Sequence, residues 1–594
     1  MAKELFERID RKVEELLIEV LNGRIGLPDL QRPFVWSDAK VRDLLDSMMR
    51  GFPIGYVMLW ASPEDYGNTK TIGNNEKRFK KPDNLVIDGQ QRLTSILSAM
   101  TDTKVKDDNF KERSIRIAFN PLTKQFEVWT KAIERDYKMI PDIAEVYRAH
   151  DNHQFPLYRR TLIKRINEGR IKKNEPLLTE DEEFLIESNL ILLLDLRQYT
   201  IPTLRILPKA DEEDVAEIFR RVNSGGQKLN ENNFIETLLA VYANDIHDEI
   251  MQYCADSRIP AKATSYNPII ELDPSHIIRM VIAYGFRRAR MKYGYKLLRG
   301  DDLEIGINSE EIRQNNLQIF RDSLERVINI NDWHSFINLF AQAGYLRYDL
   351  LSSKYVVVFS YALYLIGKYD YKVPQITLQK VIIRWIFMTT IKSYYSYSPE
   401  STVERQMADL RSILSADEYV NYLDNIVKRE MNDSYFSIEL VESLTSSSAI
   451  SPVWFGYLAS LNIIGTPMLF SNTPQAKYWL LGSDGDKKAI DKHHIFPKDY
   501  LESIGIDDDR ERNQLANFTY LEYQTNIDIS NKAPSIYMAQ YKQKFGNDVF
   551  ELHCVNNAIP IDVEKLEYNT FLQKRRKLMS DIIKKAYNKL WDNN

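Results

Sequence analysis

Ile490-Asp491-Lys492-His493-His494-Ile495-Phe496-Pro497-Lys498 sets two of the chain's eight histidines side by side at the end of a short apolar stretch. Downstream, Asn513-Gln514-Leu515-Ala516-Asn517-Phe518-Thr519-Tyr520-Leu521-Glu522-Tyr523-Gln524-Thr525-Asn526 carries three spaced asparagines. A His pair followed by Asn residues at this distance is what a one-metal DNA-cutting site needs. One imidazole binds the ion, the other activates water, and amides orient the base and complete the metal shell. The stretch points to a nuclease.

Outward from it, the chain is too long, at 594 residues, for one core, and about two to four domains are expected. Hydrophobic content of 44% with 27% charge is that of a soluble globular protein. No window reaches the roughly 18 uninterrupted apolar residues of a membrane span; the best, Tyr355 to Gly367, stops at Lys368. Charges at Glu4, Glu7, Arg8, Asp10, Arg11 and Lys12 exclude a signal peptide. Phe6, Ile9, Val13, Leu16, Leu17, Val20 and Leu21 instead fit an amphipathic helix. Cys254 and Cys554 make neither a disulfide framework nor a zinc set, so a cytoplasmic location is expected.

The net charge of -5 does not itself suggest nucleic acid. Local runs do: Arg159, Arg160, Lys164, Arg165, Arg170, Lys172 and Lys173, and later Lys574-Arg575-Arg576-Lys577. The later run sits on a helical pattern with the apolar stripe Phe571, Leu578, Ile582 and Ala586, which should turn its charges outward, toward solvent or phosphate.

Strand-like pieces (Gly55 to Trp60, Leu85 to Ile87, Ile115 to Phe119, Leu190 to Leu194) mix with helices up to about residue 240. A mostly helical region, 241–450, ends at the loop-like Leu444-Thr-Ser-Ser-Ser-Ala, and 451–594 is short-strand and helix again. Three domains are therefore expected, 1–240, 241–450 and 451–594, in an α+β multidomain and predominantly helical chain. In the first, Ser37 should cap a helix burying Val41, Leu44, Leu45 and Met48. Val86-Ile87-Asp88-Gly89-Gln90-Gln91-Arg92 runs from strand through a turn into a helix, whose first amides and Arg92 make an anion site beside Asp88. Arg221-Val222-Asn223-Ser224-Gly225-Gly226 ends a helix on glycines that let a ligand approach the backbone. Singly, Asp-Gly and Asn-Ser-Gly-Gly are ordinary turn sequences. There is no Walker-type phosphate loop.

Asp88-Gly89-Gln90-Gln91-Arg92, preceded by Gln31-Arg32-Pro33-Phe34-Val35-Trp36 and followed by Phe219-Arg-Arg-Val-Asn-Ser-Gly-Gly, resembles the N-terminal domain of the GmrSD family of type IV, modification-dependent restriction enzymes. The resemblance implies a ParB/sulfiredoxin-like fold that handles a nucleoside triphosphate and senses modified DNA. The His493-His494-Ile-Phe-Pro-Lys segment, with Asn517, Asn526 and Ser530-Asn531-Lys532, is similar to that family's HNH-like nuclease domain, a ββα-metal fold. The two matches cover about 1–240 and 450–570; the middle region carries no matching motif.

The resemblance implies a role for each residue. Asp88 positions metal or water, Gln90 and Gln91 hydrogen-bond phosphate or water, and Arg92 counters phosphate charge. Gly89, Gln31 and Arg32, and more weakly Asn223, Ser224 and Gly225, line the nucleotide site. In the nuclease a strand should end at His494, a second should lie near Phe518 to Leu521, and a helix should start near Asn526. His493 and Asn526 are then ligands of Mg²⁺ or Mn²⁺ with Asp491 in reserve, His494 is the general base, and Asn517 orients its imidazole. The implied activity is nucleotide-regulated, metal-dependent cleavage of modified foreign (phage) double-stranded DNA, with NTP hydrolysis in the N-terminal domain. One active site per chain on a duplex favours a homodimer. The alternative is a nucleotide-gated DNA-binding clamp with a degenerate nuclease domain.

Overall fold

The computed structural model describes residues 4–592 apart from 27–33, 35, 62–81, 107–110, 211–213, most of 216–242, 262, 304, 449 and 481–489. It divides into two compact units, Met1–Ala255 and Asp256–Asn594. It is an α+β chain, largely helical with small sheets.

The first unit is built on a five-stranded sheet. Its strands are β1 (Phe6–Lys12), β2 (Ile25–Gly26), β3 (Val57–Ala61), β4 (Asn84–Asp88) and, after two small hairpins, β9 (Thr200–Ile206). The hairpins are β5 (Val105–Lys106) with β6 (Glu112–Arg113), and β7 (Ile117–Asn120) with β8 (Gln125–Val128). The sheet order is β1-β9-β3-β4-β2, with β3 antiparallel to β4 and parallel to β9. The unbroken apolar run Val57-Met58-Leu59-Trp60-Ala61 follows from burial on both faces. Val57, Leu59 and Val86 enter the core formed with helices α1 (Val13–Leu21), α2 (Asp38–Met49) and α3 (Gln90–Thr101), while Met58, Trp60, Leu85 and Ile87 enter a second cluster. Ser37 caps α2, its hydroxyl accepting from the Lys40 N–H, and Val41, Leu44, Leu45 and Met48 are buried.

Two local expectations are overturned here. Phe6–Lys12 is a strand, and the helix begins only at Val13. Seven residue pairs from Phe6↔Ile206 to Lys12↔Thr200 supply a partner strand that a helical apolar period cannot reveal. Leu190–Leu194, read as a strand, is the last turn of the helix Glu180–Leu194. A short apolar run cannot distinguish the two states. The signal that decides it is the capping box: Thr179 Oγ1 accepts from Glu182 N–H, and the Glu182 carboxylate accepts from Thr179 N–H.

The second unit is largely helical around Tyr355–Leu365, a helix buried at every position after Tyr355 and packed against Pro274–Phe286 and Gln375–Ile391. The helix Pro452–Ile464 packs on Tyr568–Lys589 and on Gln375–Ile391; at the second crossing a Cβ on Gly456 would lie 2.4 Å from the Ile391 side chain, so the close approach there needs glycine. Segments 256–450 and 451–594 share this unit: Ser580 Oγ donates to Phe436 O, and Leu515 N–H to Ser446 O in the serine-rich loop.

At the β4–α3 corner Gly89 has φ +87°, and an added Cβ would meet Val57 Cγ2 at 3.1 Å and Tyr56 O at 3.2 Å. Gly89→Ala is expected to cost about 1–2 kcal/mol, read as a lowered urea midpoint; an unchanged midpoint would show the corner is not under this constraint.

Candidate nuclease and nucleotide sites

The His pair ends β10 (Ile490–His494), which pairs antiparallel with β11 (Phe518–Glu522), His493 opposite Thr519 and His494 opposite Phe518. Phe518-Thr-Tyr-Leu carries the aromatic and β-branched residues a half-buried strand favours. The helix Tyr523–Ile529 follows at once and stops at Ser530, with φ +53°. The expected order of strand, strand and helix is found, with the helix beginning three residues before Asn526.

Strand alternation separates the two rings. Asp491 and His493 share one face, where Asn526 Nδ2 donates to Asp491 Oδ2 (3.2 Å) and Asn526 Oδ1 lies 2.8 Å from His493 Nδ1. His493 is 5% exposed, its ring edge-on to Tyr537, and its Nε2 meets no partner among the described residues. Burial pushes its pKa down to about 4, against the Asn526 hydrogen bond. Lys492 and His494 share the other face. The Phe518 ring lies 4.4 Å from the His494 ring and 3.7 Å from Lys492 Nζ. His494 Nε2 is 2.9 Å from Asn513 Oδ1. Burial lowers the His494 pKa, Asn513 opposes it, and the charges of Lys498, Lys492 and Arg512 lower it further.

The amide that meets His494 is thus Asn513, not Asn517. Asn517 is fully buried; its Oδ1 accepts from Phe496 N–H, and its Nδ2 donates to the carbonyls of Phe496 and Arg512. Spacing alone leaves Asn513 and Asn517 equivalent; only the closed loop distinguishes them. Tyr537 and Arg575 fix the same loop, through Tyr537 OH to Ile495 O and Arg575 Nη1 to Ala516 O.

Among the described residues no three His, Cys, Asp or Glu side chains cluster as a metal site. His493 and Asn526 nevertheless suit a hard divalent ion. The Asn526 oxygen accepts from His493 Nδ1–H (2.8 Å) and keeps a second lone pair, while the buried Nε2 of the neutral ring, without a partner among the described residues, is the nitrogen left to meet an ion. Asp491 lies behind Asn526 and orients it.

The basic helix differs from the reading of its apolar stripe. In Tyr568–Lys589, Arg575 is fully buried, Leu578 and Ile582 are only partly buried, and Met579 and Ile583 take the core. Lys574 pairs with Asp562, Lys584 with Asp433, and Arg576 donates to Gln514. In the helix Phe155–Lys172, Arg159 pairs with Glu187 and Arg170 with Glu182, and Arg165 donates to Met139 O. Much of both basic runs is therefore spent within the fold.

At the N-terminal candidate site, Asp88 ends β4 and Gly89 turns the chain into α3. Gln90 Nε2 donates to Val86 O (2.8 Å), and Gln91 lies partly buried on the first turn. Arg92 donates to the carbonyls of Ile54 and Tyr56, leaving Nη2 3.7 Å from Asp88. It ties α3 to the chain entering β3 as well as facing the carboxylate. Gln31, Arg32, Asn223, Ser224 and Gly225 lie outside the described residues.

Residues 13–240 match the family model of the GmrSD restriction endonuclease, N-terminal domain. That part of the chain is similar to a restriction-enzyme domain. An uncharacterized protein of Methanocaldococcus jannaschii is 24% identical over 549 residues, covering 89% of this chain and 86% of its own length, so the match runs through both units. Among the described residues no helix is long and apolar enough to cross a membrane.

Two outcomes follow. Asn517→Ala removes three buried hydrogen bonds and is expected to lower stability by about 3 kcal/mol, seen in urea unfolding; a loss under about 1 kcal/mol would contradict its clamping role. Because the folded pKa of His493 lies below its unfolded value of 6.5, the unfolded chain binds the proton first. Stability is therefore complete above pH 6.5 and falls toward pH 4. In chelator-treated protein, His493→Gln should flatten that part of the urea-midpoint profile.

Proposed function

We propose that the chain is a nucleotide-regulated, metal-dependent endonuclease that cuts modified foreign DNA. What supports this most is the pairing of a restriction-type N-terminal match with two differently held histidines on a strand–strand–helix unit. In this reading 451–594 contains a nuclease of the ββα-metal kind, and the N-terminal region, of the ParB/sulfiredoxin kind, binds and hydrolyses NTP and inspects the DNA.

His494 is the general base: its lowered pKa keeps it neutral near pH 7, able to take a proton from the attacking water. The Phe518 ring packs against it. Lys492, and Lys498 at the start of the next helix, add positive charge beside it for the phosphate. His493 and Asn526, backed by Asp491, would hold Mg²⁺ or Mn²⁺, which when bound neutralises charge on the phosphate and leaving oxygen. At the other site Asp88, with the amides opening α3, handles the triphosphate; Arg92 faces Asp88 and keeps the corner closed.

Incubating the chain with modified and unmodified DNA, NTP and Mg²⁺ or Mn²⁺ tests the reading. Cleavage of modified DNA is expected, with His494→Ala slower by about 10²–10⁴-fold. An alanine variant that cuts like the parent refutes the base assignment, and a parent that binds DNA without cutting favours the gated clamp. Asp88→Ala should abolish phosphate release while leaving the metal-dependent nuclease folded; unchanged release removes Asp88 from the hydrolytic site.

A further inference from the structure

We infer that Asn513 is the positioning residue of the nuclease: by accepting from His494 Nε2–H it holds the ring in the tautomer whose Nδ1 lone pair is free to receive a proton. The inference rests on the nuclease reading for what that lone pair does, but its structural content stands on the geometry of the His494 face.

An amide oxygen only accepts, so a ring nitrogen 2.9 Å from Asn513 Oδ1 carries the hydrogen. A neutral imidazole has one N–H, which leaves Nδ1 with its lone pair. That atom meets no hydrogen-bond partner among the described residues. Phe518 packs against the ring at a tilt, and the bond at Nε2 opposes rotation of the ring about Cβ–Cγ. A general base needs both settings, because the opposite tautomer would offer the water a proton instead of a lone pair.

Asn513 is held firmly enough for the task. It follows the short helix Asp509–Arg512, capped by Asp508, whose carboxylate accepts from the N–H groups of Arg510 and Glu511. The Arg512 guanidinium is pinned to Glu502 and Asp509. The Arg512 carbonyl accepts from Asn517 Nδ2 (3.0 Å), and the Glu511 carbonyl from Tyr568 OH (2.8 Å). Asn517 therefore reaches His494 indirectly. It fixes the turn that presents Asn513, as well as the Phe496 backbone two residues after His494.

The test uses the full chain and compares Asn513→Ala with Asn513→Asp. An aspartate can only accept, so it preserves Nε2–H, whereas alanine frees the ring. Expected is a fall of about 10–100-fold in kcat for Asn513→Ala, with KM for DNA and the urea midpoint unchanged, and recovery to within a few-fold of the parent in Asn513→Asp. Parent-like cutting by Asn513→Ala, or an aspartate variant as slow as alanine, overturns the assignment. A second readout does not depend on cutting. In ¹⁵N-histidine protein, with the His494 signals identified by their loss in His494→Gln, the parent should show a protonated Nε2 and a bare Nδ1. Asn513→Ala should show a mixture of tautomers. A protonated Nδ1 in the parent overturns the inference even if the chain cuts DNA. Failure of the parent to cut while the ¹⁵N pattern holds rejects the nuclease reading and leaves the tautomer assignment standing.

Discussion

The Asn517 side chain makes three hydrogen bonds where water does not reach, and the geometry around the histidine pair depends on them. It links Phe496, just past the His pair, to the end of the short helix at Arg512, and its own position opens β11. A single amide thus closes the loop between the two strands and sets their register at the end where both histidines sit. Buried amides that satisfy every donor and acceptor rigidify their surroundings, because any alternative leaves a polar group unpaired at about 1–3 kcal/mol each. Arg575 and Tyr537 reinforce the same loop from two helices, through the carbonyls of Ala516 and Ile495.

From this constraint the division of labour follows. Adjacent residues on a strand point to opposite faces, so two neighbouring histidines are given different surroundings. His493 turns to Asn526 and Asp491 in a buried setting that keeps it neutral, which suits the ligand role proposed for it. His494 turns to Asn513 and Phe518 with cations nearby, surroundings that suit the base proposed here. The N-terminal corner follows a related logic. Gly89 permits a left-handed turn hard against β3, and Arg92 bonds the carbonyls across that gap.

Much of the local structure was legible in the sequence. The strand ending at His494, the strand from Phe518, the cap at Ser37 and the turn at Asp88-Gly89 each rest on short-range chemistry that the residues carry with them. Phe6–Lys12 was misread because its apolar spacing continues into α1, while its state is decided by β9, almost two hundred residues away. Leu190–Leu194 is ambiguous in the sequence because five aliphatic residues in a row suit a buried strand and a helix end alike. On the last long helix, Arg575 went inward because a carbonyl at Ala516 awaited it, which no helical periodicity announces.

By itself the sequence determined the chemical inventory: a histidine pair at a strand end, three amides downstream, an Asp-Gly corner opening a helix, and the resemblance to a restriction-enzyme domain. These are properties of residue type and short spacing, and they survive any particular packing. Only the tertiary structure decided which amide serves which ring. Asn513, Asn517 and Asn526 are the same side chain within fourteen positions. Their partners are chosen by where the loop between β10 and β11 closes, and that closure depends on the buried bonds of Asn517 within the loop and of Tyr537 and Arg575 from helices further along the chain.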